Sequence, residues 1–241
     1  MSSRELFNTY FKSAFTVDNV IFGFDGSDLK VLLIYRNEEP YVDIWGLPGY
    51  FVKPDEELDE AAKRVLYELT GLENVYLEQV ETFGGVKRHD FGRVITVAYY
   101  SLVNADSFTP SAAGIAGAVR WYPTSELPEL AFDHEDILDR ALEKLQQTIR
   151  TRPVGFELLP QEFTLSDLQH LYESIWGVDL EKRNFRKKIL SMNLLRDLDK
   201  LQEGVAHRPA RLFSFDEEKY NELSEEGFLF EIKEGKRKVL F

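Results

Sequence analysis

At 241 residues, 44% apolar and 13% aromatic, the chain is long for one compact domain and sufficient for two with separate cores. It has no cysteine, which excludes disulfides and thiolate zinc sites, and no apolar run long enough to span a bilayer. A net charge of -13 argues against a polyanionic partner for the chain as a whole, and the opening MSSRELFNTYF lacks a signal-peptide core, so a cytoplasmic protein is expected.

In chain order, residues 19–24 and 30–36 are apolar, β-rich runs separated by Asp25-Gly26-Ser27-Asp28, a hairpin turn signal. Residues 58–69 place apolar side chains at 58, 61, 62, 65, 66 and 69, a helical spacing. Residues 75–83 and 94–103 are strand candidates joined by a loop containing KRHDFG. A last strand at 117–122 precedes Asp133, a candidate cap for a helix reaching about residue 147. The segment TRPVGFELLP at 151–160 has the composition of a junction. The expected division is therefore 1–152 and 153–241. Beyond it, Thr164 caps a helix that Gly177 ends, a second helix runs from about 180 to 191, and residues 194–201 and 211–215 form a hairpin. Helix, turn, basic helix and hairpin is the order of a winged helix-turn-helix.

Charge is distributed unevenly. Residues 1–150 carry 14 basic and 25 acidic side chains, residues 151–211 carry 10 and 9, and the remainder carries 5 and 8. The basic residues of the middle segment cluster at Lys182, Arg183, Arg186, Lys187 and Lys188, where one helix presents them together. On a 100° wheel Phe185 and Ile189 form the inward stripe, with Arg183 and Lys187 roughly opposite, flanked by Asn184 and Arg186. Arg and Asn suit base edges, and Lys suits phosphates. His207, Arg208 and Arg211 are candidate wing contacts. An isolated KRNFRKK run is also compatible with a solvated helix face.

Residues 47–72, LPGYFVKPDEELDEAAKRVLYELTGL, resemble the loop and helix of a Nudix hydrolase. That family's pattern is Gly, five residues, Glu, seven residues, Arg-Glu-apolar-any-Glu-Glu, any, Gly-apolar. Laid on this chain it places Tyr50 at the first Gly, then Glu56, Arg64, Glu68, Gly71 and Leu72, with Val65 and Leu69 at two carboxylate positions. The resemblance implies an α/β (α+β) chain: a Nudix α/β/α sandwich followed by the winged helix. It also implies lost metal chemistry, because hard cations need oxygen ligands that Val65 and Leu69 cannot supply. Neither an enzyme nor a metal or other cofactor is expected. Arg64 and Glu68 can equally be an i, i+4 ion pair.

The stretch FTLSDLQHLYESIWGVDLEKRNFRKKIL resembles the DNA-binding domain of Nudix-related transcription regulators, and ELTGLENVYLEQVETFGG, RVITVAYYSL and ELPELAFDH extend the resemblance over nearly the whole chain. It is closest to the arabinose-responsive sugar-utilisation branch, through AAKRVLYELTGLENVY, and more distant from the NAD-metabolism regulators. The resemblance implies a homodimer that binds palindromic operator DNA and senses a small molecule in a non-catalytic pocket. Candidate ligand residues are Trp45, Tyr50, Lys53, Glu56, Glu68, Lys87 and Arg88, with His89 and Arg93 nearby; Trp45 and Tyr50 can instead close the sheet edge over the core. The loop VKRHDFGR lacks the proline and first aspartate of the NAD branch's DRDPRGR-like loop, and Tyr50 crowds a diphosphate while stacking well on a sugar. The expected function is thus a repressor of a sugar catabolic operon with a sugar as effector. The alternatives are an ADP-ribose-sensing regulator and a hydrolase using Glu56 and Glu68, with Glu57, Asp59 and Glu60 close by. His134 and His170 have no second histidine at metal spacing and read as structural.

Overall fold

The β-rich runs of the first half fold into a seven-stranded sheet in the computed structural model, which describes residues 13–206 and 208–233. The strands are β1 (Ala14–Phe24), β2 (Leu29–Arg36), β3 (Trp45–Gly46), β4 (Gly49–Phe51), β5 (Tyr76–Phe83), β6 (Val94–Asn104) and β7 (Ala116–Pro123). Their order is β3-β2-β1-β6-β5, with β4 also on β1 and β7 also on β2. The expected turn forms: Asp25 Oδ1 accepts from the backbone N–H of Ser27 and Asp28, and Gly26 supplies φ 88°. From Val17 to Phe24 every residue of β1 is buried, as a central strand covered on both faces requires. β4 lies antiparallel to β1 and brings Gly49 opposite Asp18.

Helix α1 (Leu58–Thr70) ends at Gly71, whose φ of 78° is the left-handed C-cap conformation. Its Ala61, Ala62, Val65 and Leu69 pack against Val17, Ile34, Val97 and Tyr99 of the sheet. Leu58, expected on that inner stripe, is exposed, because it is the first residue of the helix, ahead of the core. Helix α2 (His134–Thr151) extends about a turn past its expected end and buries Ile137, Leu138, Ala141, Leu145 and Ile149. Among the described residues no helix is long and apolar enough to cross a membrane.

Two compact units divide the chain: one gathers the residues up to Phe22 with Lys30–Ser101 and Thr109–Leu142, the other Gly23–Leu29, Leu102–Phe108 and everything from Glu143. The second unit contains a 3-10 turn (Pro153–Leu158), α3 (Leu165–Trp176), α4 (Lys182–Ser191), β8 (Leu195–Leu201), β9 (Arg211–Phe215) and α5 (Glu217–Glu225). Thr164 caps α3 by accepting from the Ser166 and Asp167 N–H groups, and Asp167 returns a bond to the Thr164 N–H, a reciprocal capping box. Gly177 ends α3 at φ 64°. Leu168, Leu171, Tyr172 and Ile175 are buried as the periodicity predicts. Phe163 exchanges backbone hydrogen bonds with Phe213 at 2.9 and 2.8 Å, an isolated antiparallel bridge beside the two-stranded β8–β9 ribbon.

Candidate effector cavity and nucleic-acid interface

A cavity of about 150 Å³ opens in the first unit where β1, β2 and β4 meet the loop before β6 and the start of α2. Its wall combines Asp18, Arg36, Arg88 and His134 with the aromatic rings of Tyr50, Phe51, His89, Phe91 and Phe132. That volume is below the roughly 300–1,000 Å³ of pockets that bury a drug-sized ligand, so its enclosed part has room for only one end of a larger molecule.

The polar groups are held in place before any ligand arrives. Arg88 donates to both oxygens of Asp133, at 2.8 and 2.7 Å, a bidentate fork, and its side chain is only 5% exposed. Asp133, expected as a helix cap, thus has its carboxylate engaged with Arg88 immediately before α2 begins. Arg36 donates to the carbonyls of Glu38 and Pro40 and lies 5.0 Å from the Phe132 ring centre, a cation–π contact. Burial lowers the pKa of the Arg36 guanidinium, opposed by Glu38 and Asp18. His89 stacks on Phe132 with ring centres 5.2 Å apart and planes 16° from parallel.

His134, expected to be structural, is fully buried and lines the cavity. Its Nδ1 accepts from the Leu47 N–H at 2.9 Å, which leaves the proton of the neutral ring on Nε2. Burial pushes its pKa down, with Asp18 and Asp133 opposing, so the neutral form dominates. Nε2 then points to Asp18 Oδ1, 3.6 Å away.

Of the expected ligand residues, Tyr50 and Arg88 line this cavity. Trp45 instead packs edge-on between Tyr35 and Tyr122, each 5.1 Å away, the sheet-edge role open from the sequence. Lys53 and Lys87 are exposed and outside the cavity wall. Glu56 and Glu68 both accept from Arg64, which also donates to the Phe51 carbonyl, tying β4 to α1. Arg93 donates to the Gly84 and Gly85 carbonyls at 2.6 and 3.0 Å and shapes the loop. Val65 and Leu69, at 0% and 4% exposure, belong to the core. Asp18, Arg36 and Phe132 are additional wall residues. The available signal was a polar Asp-Asn pair inside the otherwise apolar run of β1.

Arg64 holds the Glu56 carboxyl down at about 2, mainly through their hydrogen bond. A depressed carboxylate contributes stability that is complete above its unfolded value, near pH 4.5, and is lost as pH falls toward 2. Thermal melting between pH 5 and 2 is therefore expected to fall less steeply in Glu56→Gln than in the parent; parallel curves would remove Glu56 from the acid response.

In the second unit, α4 follows the expected wheel. Phe185 and Ile189 are 6% and 2% exposed, and Phe185 meets the Tyr172 ring of α3 at 5.6 Å. Lys182, Arg183, Asn184, Lys187 and Lys188 are exposed. Arg186 differs: it is half-buried and donates to Ser166 Oγ at 2.9 Å, so it braces α4 on α3. Glu181 caps the helix by accepting from the Arg183 and Asn184 N–H groups, and these bonds lower its pKa. The ribbon is electrostatically quieter. Arg211 pairs with Asp197 at 2.6 Å, Arg196 with Asp216 at 2.7 Å, and Lys200 with Glu162. Arg208 is exposed in the connecting loop, and His207 lies outside the described residues. Among the described residues of this unit, exposed positive charge is therefore gathered most densely on α4.

Known proteins share both halves. Residues 12–143 match the NUDIX domain family and residues 155–215 the NrtR DNA-binding winged helix domain. The chain is 37% identical over 205 residues to the "ADPR responsive transcriptional repressor NtrR" of Acinetobacter baylyi, covering 83% of this chain and 81% of that one. It is similar to Shewanella oneidensis NrtR complexed with a 27mer DNA, at 32% identity and a TM-score of 0.70, covering 83% of this chain and 93% of that one. Its first part is similar to the NUDIX domain of the same NrtR complexed with ADP ribose, at 33% identity and a TM-score of 0.51, covering 60% and 99%. With a sheet-and-helix unit at one end, a winged helix at the other and a repressor relative matched over most of its length, the chain belongs to the Nudix-related transcription regulators.

Proposed function

We propose that this chain is an effector-responsive transcriptional repressor that binds operator duplex as a homodimer through α4 and senses ADP-ribose in the cavity of its first unit. The observation that carries the DNA reading is the exposed cationic face of Lys182, Arg183, Lys187 and Lys188 on a helix seated by Phe185 and Ile189. The proposed division of labour is residues 1–152 for effector recognition and 153–241 for DNA.

For the effector, the relatives support ADP-ribose over the free, arabinose-like sugar expected from the sequence: one is named for its response to ADPR and another has its NUDIX domain complexed with ADP ribose. The cavity is compatible with this ligand, since Arg36 and Arg88 stand among aromatic rings that can stack on a base or sugar. Only an end group enters, so the crowding by Tyr50 that favoured a free sugar does not oppose a diphosphate lying toward the mouth. A non-catalytic pocket is supported by Val65 and Leu69, which are spent on core packing.

The test is binding of the full chain to duplex from its own upstream region and to random duplex, across salt concentrations. Specific binding with a steep salt dependence is expected. Arg183→Ala should weaken operator binding by about 1–3 kcal/mol if Arg183 reads a base. Equal affinity for the two duplexes would overturn the repressor reading.

A further inference from the structure

We propose that Asp18 is the acceptor for a hydroxyl pair on the effector's terminal ribose, and so selects a ribose-ended ligand over the same nucleotide without that sugar. This rests on the ADP-ribose reading above. Asp18 is 5% exposed and lines the cavity. The donors around it, the Arg88 cation and the neutral His134 ring, stand off: Arg88 Nη2 and His134 Nε2 are each 3.6 Å away, beyond the usual 2.7–3.2 Å hydrogen-bond range. Arg88 gives its close contacts to Asp133, and His134 is fixed by Leu47. Both are therefore anchored by other bonds at their present distance from Asp18.

A buried carboxylate requires donors, and among the described residues neither oxygen of Asp18 receives a hydrogen bond from a side chain or backbone. An incoming group that carries hydroxyl donors can come closer to the carboxylate than either neighbour does. A phosphate is excluded, since it brings acceptors and like charge. Two adjacent hydroxyls match the two carboxylate oxygens, and O–H···O⁻ bonds are among the stronger kinds. The cavity's size admits only an end of the ligand. ADP-ribose has two ends, adenine and the terminal ribose; the adenosine ribose also carries a hydroxyl pair but lies between base and diphosphate, so only the terminal ribose presents paired hydroxyls at an end. Gly49 belongs to the same device: a Cβ there would lie 1.8 Å from Asp18 Oδ1, so any larger residue displaces the carboxylate from its present position.

The experiment is calorimetric titration of the full chain with ADP-ribose and with ADP, for the parent, Asp18→Asn and Gly49→Ala, each checked for parental melting. ADP retains the adenine and diphosphate but lacks the terminal ribose. The parent should prefer ADP-ribose by about 10- to 100-fold, the range of a hydrogen bond to a charged group. In either variant that preference should collapse toward unity, with ADP affinity little changed. A merely structural role would lower both ligands together, and that outcome overturns the proposal. So does a parent with no preference, which needs no variant, or a preference preserved in folded variants. A parent that binds neither ligand overturns the ADP-ribose reading itself.

Discussion

Phe185→Ala is expected to destabilise the winged helix by about 3–5 kcal/mol, the range for removing a buried aromatic ring. Phe185 is 6% exposed and is, with Ile189, one of two apolar anchors between α4 and its own unit. Truncation leaves a cavity beside Tyr172, whose ring centre lies 5.6 Å from that of Phe185, and the Arg186 bond to Ser166 of α3 opposes a tilt of the short helix to fill it. Operator binding should be lost in proportion, whereas ADP-ribose titration of the same variant should be unaffected. Denaturant unfolding monitored alongside both titrations provides the check. A loss under about 1 kcal/mol would mean that α4 is seated by other contacts.

Arg88→Met should cost a similar amount, about 3–5 kcal/mol, for a different reason. Breaking a buried ion pair by removing one partner leaves uncompensated charge, and here two carboxylates, Asp133 and Asp18, face the gap. The fork also ties the loop before β6 to the residue that precedes α2, so the cavity wall loosens with it. Because methionine preserves much of the side-chain volume, the loss reports charge more than packing. Asp133→Asn, which keeps a partial hydrogen-bonding partner, should cost less. If Arg88→Met melts with the parent and binds ADP-ribose equally well, the fork contributes to neither stability nor the pocket.

Much of the fold was legible because the long elements carry strong periodicity. The Nudix-type helix, the capped α3 and the Phe185–Ile189 stripe of α4 all announce themselves in spacing and punctuation. What escaped lacked such a signal. β3 and β4 are two and three residues long, too short for alternation to register. α5 buries none of its residues, so it has no apolar stripe to detect. The cavity was harder still, since its wall is assembled from residues far apart in sequence. Asp18, Arg36 and His134 meet only because β4 folds back on β1 and α2 starts beside them. Each is unremarkable alone; together they form a buried polar cluster. The opposite departure from expectation has the same origin. Trp45, Glu56 and Glu68 adjoin the motif in sequence, but their side chains are committed to neighbours on the sheet edge or to Arg64. The wing behaved similarly, because the acidic partner of Arg211 comes from the facing strand.

Effector binding in one unit and DNA binding in the other should be energetically linked. The most direct measurement is the affinity of the full chain for its upstream duplex, by fluorescence anisotropy at fixed salt, with and without saturating ADP-ribose, paired with ADP-ribose titration of the free and DNA-bound protein. Linkage requires the two factors to be equal. The predicted result is that ADP-ribose changes DNA affinity by about 5- to 150-fold, the usual range of allosteric coupling, and that DNA changes ADP-ribose affinity by the same factor. Both ligands binding with affinities that ignore each other would contradict it.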